Sequence, residues 1–260
     1  MDKKNYISRE EYKLWEYIKD KEIIDIDLIK EIFPDMASNK RDKILHLLYK
    51  KGYLQRAKKG LYYNPLLLKN FYRLALTIKE GYIGLSSALR YYNLIEYEDF
   101  TIFVITKGFQ KKIQLKGTKY EIQYIPLKKL FMGIENSGIE KKEGVYISSV
   151  EKTFFDCFLK PRYIGFSNIT KALYEAKIDW NKFISFFKLT DNNALYQRTG
   201  YILELMKMDT RLKIPSFVFE FLLKKVKTPV KLIPIKGKSV YNKKWKVQDN
   251  LRKENILSWM

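Results

Sequence analysis

Apolar positions recur every three or four residues over much of the chain and alternate in a few short runs, a mixture that predicts both helices and strands. Near the start, Tyr12, Leu14, Trp15, Tyr17 and Ile18 fall at helical spacing behind Ser8-Arg9-Glu10-Glu11. Those four residues form a capping-box pattern, in which a hydroxyl and a carboxylate each cover a free amide at a helix start. A short second helix, Leu28 to Phe33, follows a cap at Asp25 or Asp27 and ends at Pro34. Pro34-Asp35-Met36-Ala37 is a turn, and Ser38 is expected to cap a third helix that runs to Lys51 and stops at Gly52. Two short strands, Tyr53 to Ala57 and Leu61 to Asn64, flank Lys58-Lys59-Gly60, with glycine where a hairpin needs positive φ. Helix, helix, turn, helix and a two-stranded wing is the order of a winged helix-turn-helix.

Beyond Pro65 the pattern predicts helices over 71–76 and 86–92, then strands over 101–106, 112–116, 119–125 and 145–148. Helices follow over 150–159, 169–175, 180–187, 196–206 and 217–223. The expected fold class is α+β, an N-terminal winged helix-turn-helix followed by a larger mixed α/β C-terminal domain. We place the reading domain at 1–64, the α/β domain at 65–223 and a basic extension at 224–260. The extension carries Pro229, Pro234 and closely spaced lysines, and one or two strands are expected in it.

Composition narrows the classes. The chain has 260 residues, 46% of them hydrophobic, which excludes a disordered basic tail protein. One cysteine, Cys157, excludes a disulfide framework or a Cys-rich zinc site, and one histidine, His46, removes a His-based metal centre. Apolar runs such as Ile102 to Ile105 are too short to span a bilayer, and Met1 to Tyr6 lack an apolar signal core, so a cytoplasmic protein without a membrane partner is expected. No cofactor is expected.

Fifty Lys+Arg against 29 Asp+Glu give a formal charge of +21, which favours an anionic partner. The chain is also rich in Lys, Ile, Tyr, Phe and Asn, residues that AT-rich codons favour, so position is more informative than the total. From Ser38 to Gly60 there are eight basic residues and one acid, Asp42. On a helical wheel, Ala37, Ile44, Leu45, Leu47 and Leu48 fall inward, while Asn39, Asp42, Lys43, His46, Tyr49 and Lys50 fall outward. Asn39, Lys43 and His46 are therefore the candidates to meet base edges in a major groove. Ser38, Lys40 and Arg41 stand at the helix start, where free amides suit phosphate, and Arg56, Lys58 and Lys59 mark the wing. A solvated helix face followed by a lysine turn is the alternative for the same residues.

Other chemistries have weaker support. No glycine-rich phosphate loop and no Gly-x-Ser-x-Gly is present. A metal-dependent nuclease would have to be assembled from Asp99, Glu121 and Gln123, the last lacking the usual lysine. Asp25-Ile26-Asp27 is better explained by helix capping than by a metal. Cys157, within Phe154-Phe155-Asp156-Cys157-Phe158, reads as core. A third possibility is an interaction module whose tail stacks Tyr241 and Trp245 on a ligand among Lys243, Lys244 and Lys246.

Two stretches carry a family resemblance. Gly81-Tyr82-Ile83-Gly84-Leu85-Ser86-Ser87-Ala88-Leu89, after a wing ending Gly60-Leu61-Tyr62-Tyr63-Asn64-Pro65, resembles the AbiEi antitoxins of abortive-infection systems. Val145-Tyr146-Ile147-Ser148-Ser149-Val150-Glu151-Lys152-Thr153-Phe154-Phe155-Asp156 is similar to the family's second stretch, a strand running into a helix with a Glu/Lys-Thr-x-x-Asp pattern. The likeness covers roughly residues 8–175. It implies a winged-helix protein that represses its own operon by binding double-stranded operator DNA, with inverted repeats expected. It also implies an antitoxin, not an enzyme, in antiviral defence, whose functional partner is a nucleotidyltransferase-like toxin that it need not bind directly. Ser86, Ser87, Glu151, Lys152, Thr153 and Asp156 match motif positions, and capping and bracing by Thr153 and Asp156 is the favoured role.

Overall fold

The computed structural model describes residues 6–96, 100–127, 138–235 and 237–260. In chain order they form α1 (Arg9–Ile18), β1 (Ile23–Asp25), α2 (Ile26–Ile32), α3 (Ser38–Lys50), β2 (Gln55–Lys58), β3 (Leu61–Tyr63) and α4 (Phe71–Ile78). Then come β4 (Tyr82–Ile83), α5 (Leu85–Tyr91), β5 (Thr101–Thr106), β6 (Lys111–Gln114), β7 (Glu121–Pro126), β8 (Ile139–Lys142) and β9 (Val145–Ser148). The last part holds α6 (Val150–Leu159), α7 (Phe166–Glu175), α8 (Trp180–Phe187), α9 (Asn193–Asp209) and α10 (Ser216–Leu223). It closes with β10 (Val230–Lys231), β11 (Val240–Asn242), β12 (Val247–Asp249) and α11 (Lys253–Ile256). Among the described residues the strands make three sheets, β1-β3-β2, β10-β12-β11 and β6-β7-β5-β4-β9-β8. The chain is mixed α+β, as its pattern predicts.

Two compact units divide these elements: residues 1–80, 100–102 and 110–124, and residues 81–99, 103–109 and 125–260. In the first unit, the Ser8 hydroxyl accepts from the Glu11 amide and the Glu11 carboxylate accepts from the Ser8 amide at 2.6 Å, so the capping box is formed. Asp25, not Asp27, caps α2 by accepting from the Leu28 amide at 2.7 Å. The expected cap at Ser38 is not there: Ala37 holds the cap position, without a side-chain bond, and Ser38 is already helical. β1 was not legible in the pattern; it pairs antiparallel with β3, Ile24 opposite Tyr62. β2 and β3 form the expected hairpin, closed at Gly60 with φ of +76°. Leu14, Ile18, Ile24, Ile29, Ile44, Leu45, Leu48, Leu54 and Tyr62 close this core. The same unit holds α4 and the β6–β7 hairpin, with the Tyr124 hydroxyl donating to the Ala75 carbonyl at 2.7 Å.

In the second unit, α6 is buried from Glu151 to Phe158 and packs against α5, α7, α8 and α9. β4 lies between β5 and β9, and the approach is close: a Cβ at Gly84 would stand 2.8 Å from Ile105 Cγ1. The segment after Leu223, in which one or two strands are expected, is packed on the body rather than extended. Its three strands and α11 pack on the body, Leu232, Trp245, Val247, Ile256 and Leu257 joining the main core. Trp245 is fully buried and its indole donates to Glu204 at 2.8 Å, so it has no face to offer a stacking ligand. Lys244 is paired with Glu204, and Lys246 donates to the Lys227 carbonyl at 2.7 Å.

Candidate nucleic-acid interface

The stripe that fixes α3 also decides what it shows to solvent. Arg41, Ile44, Leu45 and Leu48, spaced i, i+3, i+4 and i+7, are buried. Asn39, Lys43, His46 and Lys50, spaced i, i+4, i+7 and i+11, form an exposed stripe. At 1.5 Å per residue that stripe runs about 16 Å, enough to follow a groove of nucleic acid over several bases. Lys43 makes no hydrogen bond or ion pair among the described residues, and the His46 ring lies near that of Tyr49, centroids 6.1 Å apart.

The start of α3 is open. Ala37 supplies no side-chain cap and no acid stands in the first turn, so the Ser38 and Asn39 amides are unbonded among the described residues. Asn39 turns its carbonyl oxygen onto the Lys40 amide at 2.7 Å. Lys40 is exposed but paired with Glu10 at 2.6 Å, so this corner is not purely cationic. A groove of about 490 Å³ separates the start of α1 from the first half of α3, with Glu10 and Glu11 on one wall and Lys40 and Lys43 on the other.

Arg41, expected to hold phosphate, is only 6% exposed, and its Nε has no hydrogen-bond partner among the described residues. The physical reason lies in the stripe itself, because position 41 is one turn before Ile44 and Leu45 on the inward face. Its charge is felt at Asp27, whose carboxyl is held below its ordinary range first by Lys30 and then more weakly by Arg41.

At the hairpin, Lys58 is exposed, but its ammonium is already engaged. Its ammonium donates to the Ile78 and Thr77 carbonyls at 2.8 and 3.1 Å, covering the end of α4. Arg56 is exposed, its Nε 3.4 Å from the Lys58 carbonyl, and Lys59 is exposed with no bond among the described residues. The exposed basic set is therefore Lys40, Lys43, Lys50, Arg56, Lys58 and Lys59, Lys58 with its ammonium on the α4 carbonyls, and Ser38, Asn39 and His46 lie beside it.

Glu11 ties this surface to its support. Besides closing the capping box, its carboxylate accepts from Lys51 at 2.6 Å, joining the start of α1 to the end of α3. Burial pushes this carboxyl up, but the Lys51 ammonium and the Ser8 amide outweigh burial and hold it below its ordinary value.

The motif residues of the second unit are all interior. Lys152 and Asp156, one turn apart on α6, pair at 2.5 Å, and the Tyr82 hydroxyl accepts from Lys152 and donates to Asp156, both at 2.9 Å. Burial raises the Asp156 carboxyl above its ordinary range, although Lys152 and Tyr82 pull it back; burial and the Asp156 charge push the Tyr82 hydroxyl well up. Ser149, rather than Thr153 or Asp156, caps α6 by accepting from the Lys152 amide. Thr153 instead bonds Ser148 Oγ at 2.7 Å and the Ser149 carbonyl at 2.8 Å. Ser87 accepts from the Phe103 amide, Ser86 is fully buried, and Glu151 receives the Asp179 amide. These groups brace a strand-to-helix junction.

Of the nuclease set, Asp99 lies outside the described residues. Glu121 is engaged by Lys112 at 2.9 Å and by the Thr101 hydroxyl at 3.1 Å, and Gln123 donates to the Tyr124 carbonyl. Among the described residues no group of three His, Cys, Asp or Glu is placed to hold a metal ion. Cys157 is buried and its thiol is pushed well up by that burial. Among the described residues, no helix is long and apolar enough to cross a membrane. No protein-family model matches the chain, and no curated protein is similar to it.

Proposed function

We propose that this chain binds double-stranded DNA as a winged helix-turn-helix protein, with α3 in the major groove and the β2–β3 hairpin as the wing. The observation that carries this reading is the exposed stripe Asn39, Lys43, His46 and Lys50 above the buried Ile44, Leu45 and Leu48. The sheet order β1-β3-β2 supports it, since β1 inserts between α1 and α2 and fastens the hairpin to the helices. In this reading Asn39, Lys43 and His46 meet base edges, the open start of α3 and Lys40 meet phosphate, and Arg56 and Lys59 hold the flanking backbone. Within it, the likeness to AbiEi antitoxins supports a narrower role as autorepressor and antitoxin to a nucleotidyltransferase-like toxin. That role is supported by the two motif stretches alone.

The test is a duplex selected from a random pool by the full chain, then titrated with salt. Each neutralised phosphate contributes about −0.9 to the slope of log affinity against log salt. Lys43→Ala is expected to relax base preference, and Lys59→Ala to lower the slope with preference kept. A flat salt response and no selected sequence overturn DNA binding. Failure to relieve the toxicity of a co-expressed nucleotidyltransferase encoded beside it overturns the antitoxin role and leaves DNA binding standing.

A further inference from the structure

The β6–β7 hairpin belongs to the same compact unit as α3 and the β2–β3 hairpin, although more than fifty positions separate it from Lys59 in sequence. Residues 110–121 carry Lys111, Lys112, Lys116 and Lys119 against a single acid, Glu121. Three contacts fix the turn of this hairpin beside β2. The Tyr63 hydroxyl donates to the Lys116 carbonyl at 2.6 Å. Tyr63 is the strand partner of Gln55, the residue before Arg56. Gly117, at φ of +76°, sits so close that a Cβ there would be 3.1 Å from Pro65 Cβ and 3.6 Å from Gln55 Cγ. The strands of the hairpin are held on α4, with Tyr120 against Phe71 at 4.1 Å between centroids and Tyr124 bonded to the Ala75 carbonyl. Lys58 clasps the far end of the same helix.

Not all four lysines are available. Lys112 is paired with Glu121, and Lys119 lies over the Phe100 ring at 4.0 Å. Lys116 is exposed at the turn itself, with no side-chain partner among the described residues. We infer that the 115–119 turn is a second backbone contact for duplex DNA, in which Lys116 adds a phosphate contact to those of Lys59 and Arg56. Its ligand class is the phosphodiester backbone, without base preference, because a lysine at a turn offers a point charge and no fixed fork. This inference rests on the DNA-binding reading of α3 and the wing.

The experiment compares the full chain with Lys116→Glu and Lys59→Glu, using a short mixed-sequence DNA duplex and a potassium chloride titration followed by fluorescence anisotropy. Lys116→Glu is expected to weaken binding and reduce the salt slope by about one, with the thermal midpoint unchanged. Should Lys116→Glu fail to fold, Lys116→Gln carries the same expectation for the slope. Wild-type binding that Lys59→Glu weakens and Lys116→Glu leaves unchanged overturns the hairpin contact while DNA binding stands. Weaker binding by the Lys116 variants with an unaltered slope also overturns it, since the effect is then not a lost phosphate. No salt-dependent binding by the wild type overturns both.

Discussion

The indole of Trp245 occupies the space that a side chain at Gly200 would need, and a Cβ built there overlaps the ring. Gly200 lies within the seventeen residues of α9, where alanine would ordinarily stabilise by about 1 kcal/mol. Overpacking of a filled core costs about 1–3 kcal/mol, so the clash wins and Gly200→Ala is expected to destabilise. Urea unfolding followed by tryptophan fluorescence checks this, and an unchanged or higher midpoint would contradict the packing.

Lys152 and Asp156 predict a context-dependent loss. Lys152→Met leaves a carboxylate buried without its cation, a loss of about 3–5 kcal/mol. Lys152→Met with Asp156→Asn keeps an acceptor for the Tyr82 hydroxyl and is expected to recover more than half of it. The pH sign follows from burial, which raises the folded carboxyl above its ordinary 3.8. Stability withdrawn by Asp156 therefore grows as pH rises through that interval, so the Lys152→Met defect should shrink on acidification. Chemical denaturation of the three proteins at acid and neutral pH measures both effects.

Glu11 has the opposite sign. Its carboxyl is depressed below 4.5 in the folded chain, so its contribution is complete above 4.5 and is lost as pH falls through the folded value. Glu11→Gln is expected to flatten that acid limb and, through the weakened capping box, to cost about 1 kcal/mol at neutral pH. Melting curves between neutral and acid pH decide the point.

Arg41 separates support from contact. With 6% exposure, Arg41→Ala is expected to lower stability by about 1–3 kcal/mol while leaving the salt slope of DNA binding unchanged. Lys43→Ala should leave stability unchanged and relax base preference. A loss of slope on replacing Arg41 without a change in melting would return it to the contact surface.

What the sequence revealed follows the range of the interactions involved. The capping box at Ser8 and Glu11 and the turn at Gly60 act within three residues and were legible, and the cap of α2 was legible as Asp25 or Asp27. β1 was not, because three residues become a strand only by pairing with β3, almost forty positions later. The burial of Arg41 was hard to see because residue type suggested solvent while spacing placed it with Ile44, Leu45 and Leu48. Trp245 among lysines looked exposed, and only Gly200, far upstream, makes room for it. The β6–β7 lysines carried no local mark, since their nearness to β2 depends on Tyr63 and Pro65.

Lys58 gives the β2–β3 hairpin a thermodynamic character. Because its ammonium is fastened to the Thr77 and Ile78 carbonyls, the hairpin tip is held before any ligand arrives. Ordering a rotamer-rich side chain on binding costs about 0.5–1.5 kcal/mol, and here that ordering is completed during folding. A ligand that meets this edge encounters a rigid template, and the entropy it loses on docking is chiefly its own.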